Sequence, residues 1–69
     1  MKPIKTIRES VGLTQEELAR AVGVDRVTVA NWESGKTEPK LSQAHKIANL
    51  CGVKIENIIG GNKNEGSEG

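Results

Sequence analysis

The sequence predicts an all-α fold, a bundle of four to five short helices, and three observations carry that prediction. No stretch alternates apolar and polar residues as a half-buried strand does, whereas Ile, Leu and Val recur at three- and four-residue spacing. Gly12, Gly23, Gly35 and Gly52 each close one of these periodic runs, where a helix stops. The joints between runs are only two to five residues long, as in small helical domains whose contacts are mostly local.

The first helix opens at Pro3, suited to a first turn, and carries Ile4, Ile7 and Val11 on its apolar line. The second has the sharpest local signature. Thr14 and Glu17 form a T-x-x-E capping box, and Leu13 and Leu18 stand at the two positions of a hydrophobic staple. Leu18, Ala19 and Val22 then make its buried face. The third helix repeats the device with Asp25 as N-cap and Val24 and Val29 as the staple pair, and it runs to about Ser34. A polar connection, Lys36 to Lys40, leads to a fourth helix from Leu41 to Cys51, with Leu41, Ala44, Ile47, Ala48 and Cys51 on its core line. The fifth is one or two turns, Ile55 to Ile59, with Val53 and Ile58 as a third staple. From Gly60 onward no apolar residue remains, so the organisation expected is a domain over 1–59 and a disordered polar tail over 60–69.

Composition excludes several classes of function. The 69 residues have room for one small domain. Trp32 is the one aromatic residue, which argues against a protein that stacks nucleic-acid bases on aromatic rings. No run is long and apolar enough for a membrane span or a secretory signal. A lone Cys51 cannot staple a secreted fold, which implies a reducing, cytoplasmic setting. With a single His and a single Cys, neither a zinc site nor a Cys/His catalytic pair is indicated, and no phosphate-binding loop is present. The expectation is a binding module with no cofactor and no enzymatic activity. Residues 1–59 carry nine Lys or Arg against seven Asp or Glu. Any recognition of a polyanion must therefore rest on a few placed groups rather than on bulk field.

Helices two and three are separated by Gly23, Val24 and Asp25 alone, a joint that forces a steep angle between them. Ala19, four residues before the glycine, lets the two backbones approach, and Leu18, Val22, Val24, Val29 and Trp32 are the apolar positions that such a pair buries. The stretch from Gln15 to Ser34 resembles the helix-turn-helix of the phage repressor and Cro type. The resemblance takes in Arg8, the run Trp32-Glu33-Ser34-Gly35-Lys36, Pro39 and the segment from Ile47 to Ile58, and so covers residues 3–59. It implies a lambda-repressor-like fold and a partner in double-stranded DNA.

Placed on a wheel of about 100° per residue, Val29, Trp32 and Glu33 fall on the inner side of the third helix. Val27, Ala30, Asn31 and Ser34 fall on the outer side, flanked by Arg26 and Thr28. Val27 and Ala30 are then apolar residues with no core to enter, suited to thymine methyls in a major groove. Asn31 has the paired donor and acceptor that fit an adenine edge, and Arg26 reaches for guanine or phosphate. Because matching family positions contact bases, the resemblance implies that role for Arg26, Val27, Thr28, Ala30 and Asn31. Phosphate contacts are implied for Gln15, at the start of helix two, and for Ser34, Lys36 and Lys40. Glu38 departs from the more basic loops of some relatives. Arg8 and Glu33 are implied to form an ion pair joining helix one to helix three, as scaffold rather than site.

The function expected is a sequence-specific DNA-binding transcriptional regulator, a repressor that occupies a promoter. Two copies would pair across a pseudo-palindrome with half-sites about 34 Å apart. Family dimer contacts begin at the end of helix four, and Val53, Ile55, Ile58 and Ile59 supply apolar surface there. The rival readings are an antitoxin or other module that uses the same fold to clasp a protein partner, and a helical domain that no longer binds DNA.

Overall fold

The computed structural model describes residues 3–59, and the polar segment 60–69 lies outside the described residues. Five helices follow in order, with no strand among the described residues: α1 Ile4–Ser10, α2 Gln15–Val22, α3 Arg26–Ser34, α4 Leu41–Cys51 and α5 Glu56–Ile59. The local chemistry that sets these boundaries is visible in the hydrogen bonds. Thr14 Oγ1 accepts from the Glu17 amide at 3.1 Å while the Thr14 amide donates to Glu17 Oε1 at 2.8 Å, closing the capping box of α2. Asp25 Oδ1 accepts from the Thr28 amide at 2.8 Å and caps α3. At the start of α4, the Lys40 amide donates to Gln43 Oε1 at 2.8 Å.

The turn between α2 and α3 depends on Gly23, which sits at φ +90°. Its amide and that of Val24 both donate to the Ala19 carbonyl, at 2.8 and 2.9 Å. A side chain at a left-handed position would be strained there, so glycine is what allows the chain to double back at once.

One core joins the helices: Ile4 and Ile7 from α1, Leu18, Ala19 and Val22 from α2, Val29 and Trp32 from α3, Ala44, Ile47, Ala48 and Cys51 from α4, and Ile58 from α5. Leu13, Val24, Val53 and Ile55 pack against it half-buried. The staple residues thus fall where their spacing predicts. Burial pushes the Cys51 thiol above its ordinary pKa, as for a packed, unreactive sulfur.

Three apolar assignments need correction. Val11 is 44% exposed because α1 ends at Ser10 and Val11 is its C-cap, so the i, i+4 spacing from Ile7 does not place it on the helix face. Leu41 is 59% exposed. It is the first residue of α4, and a helical side chain leans toward the N-terminus, here past the end of the rod rather than onto the core. Ile58, expected as a dimer contact, is 3% exposed and belongs to the core of its own monomer. One further boundary moves by a residue: Ile55 forms the turn before α5 rather than its first helical position.

Candidate nucleic-acid interface

The third helix is held from one side. Val29 is fully buried and Trp32 nearly so, and both face the core. On the other side Val27 is 56% exposed, Ala30 and Asn31 are half-buried, and Arg26 and Ser34 are exposed. The inner and outer faces fall where the helical wheel puts them. Val27 is an apolar side chain left exposed on a helix whose Val29 is fully enclosed.

Both ends of α3 are fixed by polar groups. At its start, Asp25 Oδ1 also accepts from the Thr28 hydroxyl at 2.7 Å, so that hydroxyl is engaged in the cap. These hydrogen bonds from Thr28, the hydroxyl first and then the amide, hold the Asp25 carboxyl below its usual pKa. At its end, the Ser34 hydroxyl donates to the Asn31 carbonyl at 3.1 Å. The same carbonyl accepts from the Lys36 amide at 2.9 Å and the Thr37 amide at 3.3 Å, which ties the following loop to the helix. Lys36 and Lys40 extend from this loop, both exposed.

Arg8 and Glu33 meet beneath the outer face. Arg8 Nε donates to Glu33 Oε2 at 2.7 Å, Arg8 Nη2 to Glu33 Oε1 at 3.4 Å, and Arg8 Nη1 to the Leu13 carbonyl at 2.6 Å. The two side chains are only 10% and 7% exposed, so this pair locks α1 to α3 from inside. Burial alone would raise the Glu33 pKa. The hydrogen bonds from Arg8 and Gln15 and the Arg8 charge outweigh it and hold the carboxyl below its usual value. The Arg8 guanidinium is stabilised in turn, chiefly by its hydrogen bond to Glu33.

Gln15 stands at the first position of α2, half-buried, and is not simply a surface amide. Its Nε2 donates to Glu33 Oε1 at 2.9 Å, and its Oε1 accepts from Arg26 Nη1 at 3.4 Å. The sequence contains no signal for this bridge, because wheels and periodicity assign faces and not partners.

Val53 and Ile55 lie half-buried between α4 and α5, and the side chain of Ile59 lies outside the described residues. Among the described residues no group of His, Cys, Asp and Glu is placed to hold a metal ion. No helix there is long and apolar enough to cross a membrane.

A family model described as helix-turn-helix matches residues 4–58. An HTH-type transcriptional regulator of Archaeoglobus fulgidus is 49% identical over 56 residues, which span 81% of this chain and 79% of that protein. The cryptic phage CTXphi transcriptional repressor RstR of Vibrio cholerae is 36% identical over 56 residues, 81% of this chain and 50% of that protein. Among solved structures, the P22 c2 repressor in complex with a synthetic operator superposes with a TM-score of 0.76 over 86% of this chain and 89% of that one. At 24% identity, that last likeness is one of fold.

Proposed function

The chain belongs to the helix-turn-helix family, of the Cro and phage-repressor type, and from that membership we propose that it regulates transcription by reading double-stranded DNA with the outer face of α3. One observation carries the reading: α3 is anchored through Val29 and Trp32 while Val27, on the opposite side, remains 56% exposed. In this reading Arg26, Val27, Thr28, Ala30 and Asn31 face base edges, with Val27 and Ala30 against thymine methyls and the Asn31 amide on an adenine. Gln15, Ser34, Lys36 and Lys40 hold the phosphates on either side. The protein does no covalent chemistry and works in the cytoplasm.

The reading extends to repression, as in the relative named a repressor. One short recognition helix covers half of a useful site, so two copies occupy a pseudo-palindrome with half-sites about 34 Å apart. With Ile58 enclosed in its own core, Val53 and Ile55, together with Ile59, remain the contacts proposed for the partner copy.

Selection of bound duplexes from a random pool, followed by titration at two salt concentrations, tests this reading. Affinity for the selected site falls with salt through several phosphate contacts. Asn31→Ala weakens the selected site by about 1–3 kcal/mol and leaves random DNA little changed, whereas Lys36→Ala weakens both alike. Unchanged selectivity in Asn31→Ala would show that the reading face is misassigned.

A further inference from the structure

The hydroxyl of Thr28 has one hydrogen, and the cap of α3 takes it. Asp25 Oδ1 accepts from the Thr28 amide at 2.8 Å and from the Thr28 hydroxyl at 2.7 Å, so one carboxylate oxygen secures both the backbone and the side chain of the same residue. An N-cap needs only the first of these bonds. The second fixes the polarity of the side chain. An ionised carboxylate accepts and does not donate, so Thr28 is the donor, and a hydroxyl has no other hydrogen to give. The same two bonds hold the Asp25 carboxyl below its usual pKa and so keep it ionised through the neutral range. What Thr28 Oγ1 retains is its capacity to accept. A free threonine, by contrast, donates or accepts as its partner requires and reads either kind of base edge.

Thr28 is half-buried on the flank of α3, next to the exposed Val27. In a major groove the exocyclic amino groups of adenine and cytosine donate, whereas thymine O4 and guanine O6 accept. We propose that Asp25 is a positioning residue for DNA reading: by taking the Thr28 hydroxyl hydrogen it leaves an acceptor only, so that Thr28 selects adenine or cytosine on the strand it faces and rejects thymine and guanine there. This rests on the assignment of Thr28 to base contact, and it gives that contact a chemical sense that the residue type leaves open. Turning the hydroxyl toward a keto oxygen would give up its bond to a carboxylate, which is stronger than a bond between neutral groups.

The test uses the full chain and a duplex selected from a random pool. Each adenine or cytosine of the half-site is replaced in turn by the same base without its exocyclic amine, purine for adenine and 2-pyrimidinone for cytosine. One such replacement weakens wild-type binding by about fivefold, as loss of one hydrogen bond does, and leaves binding by Thr28→Val unchanged. Valine is close to threonine in shape and keeps the amide at position 28 on Asp25, so the cap is retained. Exchanging the two bases of that pair between the strands weakens the wild type by about tenfold, since an acceptor then meets an acceptor. Glycine is tolerated at an N-cap, and in Asp25→Gly the freed hydroxyl donates to the keto oxygen, so the same exchange weakens binding by no more than about twofold. Loss of the Asp25 charge changes affinity for both orientations alike, and the ratio between them is what is read.

If Asp25→Gly shifts both orientations by one common factor, Asp25 is a helix cap only and the positioning role is overturned, while the contact between Thr28 and a base stands. If the base pair that responds to Thr28→Val is indifferent to removal of its amine, Thr28 reads through a donated hydrogen or its methyl group, and the acceptor assignment is overturned. Indifference of every base pair to Thr28→Val would instead refute the placing of Thr28 on the reading face, and the proposal with it.

Discussion

Replacing Arg8 by methionine is the sharpest test of how α3 is held. The substitution keeps the length and apolar stem of the side chain and removes the guanidinium. Glu33, 7% exposed at its side chain in the wild type, then keeps a charge answered by the Gln15 amide and the Lys5 charge in place of a direct ion pair. Breaking one partner of a buried pair costs about 3–5 kcal/mol. A single core of this size supplies only about 3–5 kcal/mol in total, so the variant stands at the edge of unfolding. Urea denaturation followed by Trp32 emission and far-UV circular dichroism measures the loss. With a slope of about 1 kcal/mol per molar, the midpoint falls by about 3 M. The double variant Arg8→Met/Glu33→Met removes the orphaned charge as well and recovers much of the loss. Acid gives an independent check. In the wild type the Glu33 pKa is depressed, so its contribution is full above the ordinary carboxylate value of about 4 and is lost as pH falls through the lower folded value. In Arg8→Met, burial prevails and raises the Glu33 pKa, so that variant loses stability as pH rises through the ordinary value. The two stability curves therefore converge only as pH falls through the lowered wild-type value of Glu33. A midpoint shift under about 0.5 M, or a double variant weaker than the single one, would refute the account.

Thr14→Ala removes one half of the capping box of α2 and costs about 1 kcal/mol, seen as a melting temperature lower by about 4–8 °C. Asp25→Ala destabilises the protein at neutral pH by uncapping α3. Because the Asp25 carboxyl is held below its usual pKa by its hydrogen bonds to Thr28, the difference from wild type narrows as pH falls through that lowered value, which urea melts at neutral and acid pH measure. Ile58→Ala opens a cavity in the monomer core and costs about 2–5 kcal/mol. The loss is the same at every protein concentration, whereas a residue at a dimer contact would give a loss that varies with concentration.

Much of the fold is legible in the sequence because its signals are local. A threonine and a glutamate three apart, or an aspartate before a valine-rich turn, act on backbone groups within a few residues, so their meaning does not depend on the rest of the chain. The faces of α3 are legible for the same reason, since helical geometry alone separates Val29 and Trp32 from Val27. The errors arise where spacing is used without an element's end. Val11 and Leu41 keep helical spacing yet lie at the limits of α1 and α4, where the rod no longer covers the core. Ile58 fails differently: one turn of helix tells nothing about which side its isoleucines face until α4 is in place beneath it. The Gln15 bridge is the least accessible, since it needs three groups from α2 and α3 at hydrogen-bond distance at once.

The way α3 is secured separates two kinds of residue that alternate along it. Asp25 fixes its start, Val29, Trp32 and Glu33 fix its inner side, and the Asn31 carbonyl takes the amides of the next loop at its end. None of these attachments uses the side chains of Val27, Ala30 or Asn31. Those three can therefore change without loosening the helix. Val29 and Glu33 lie only one or two residues away and have no such freedom, because each change there opens the core or strands a charge.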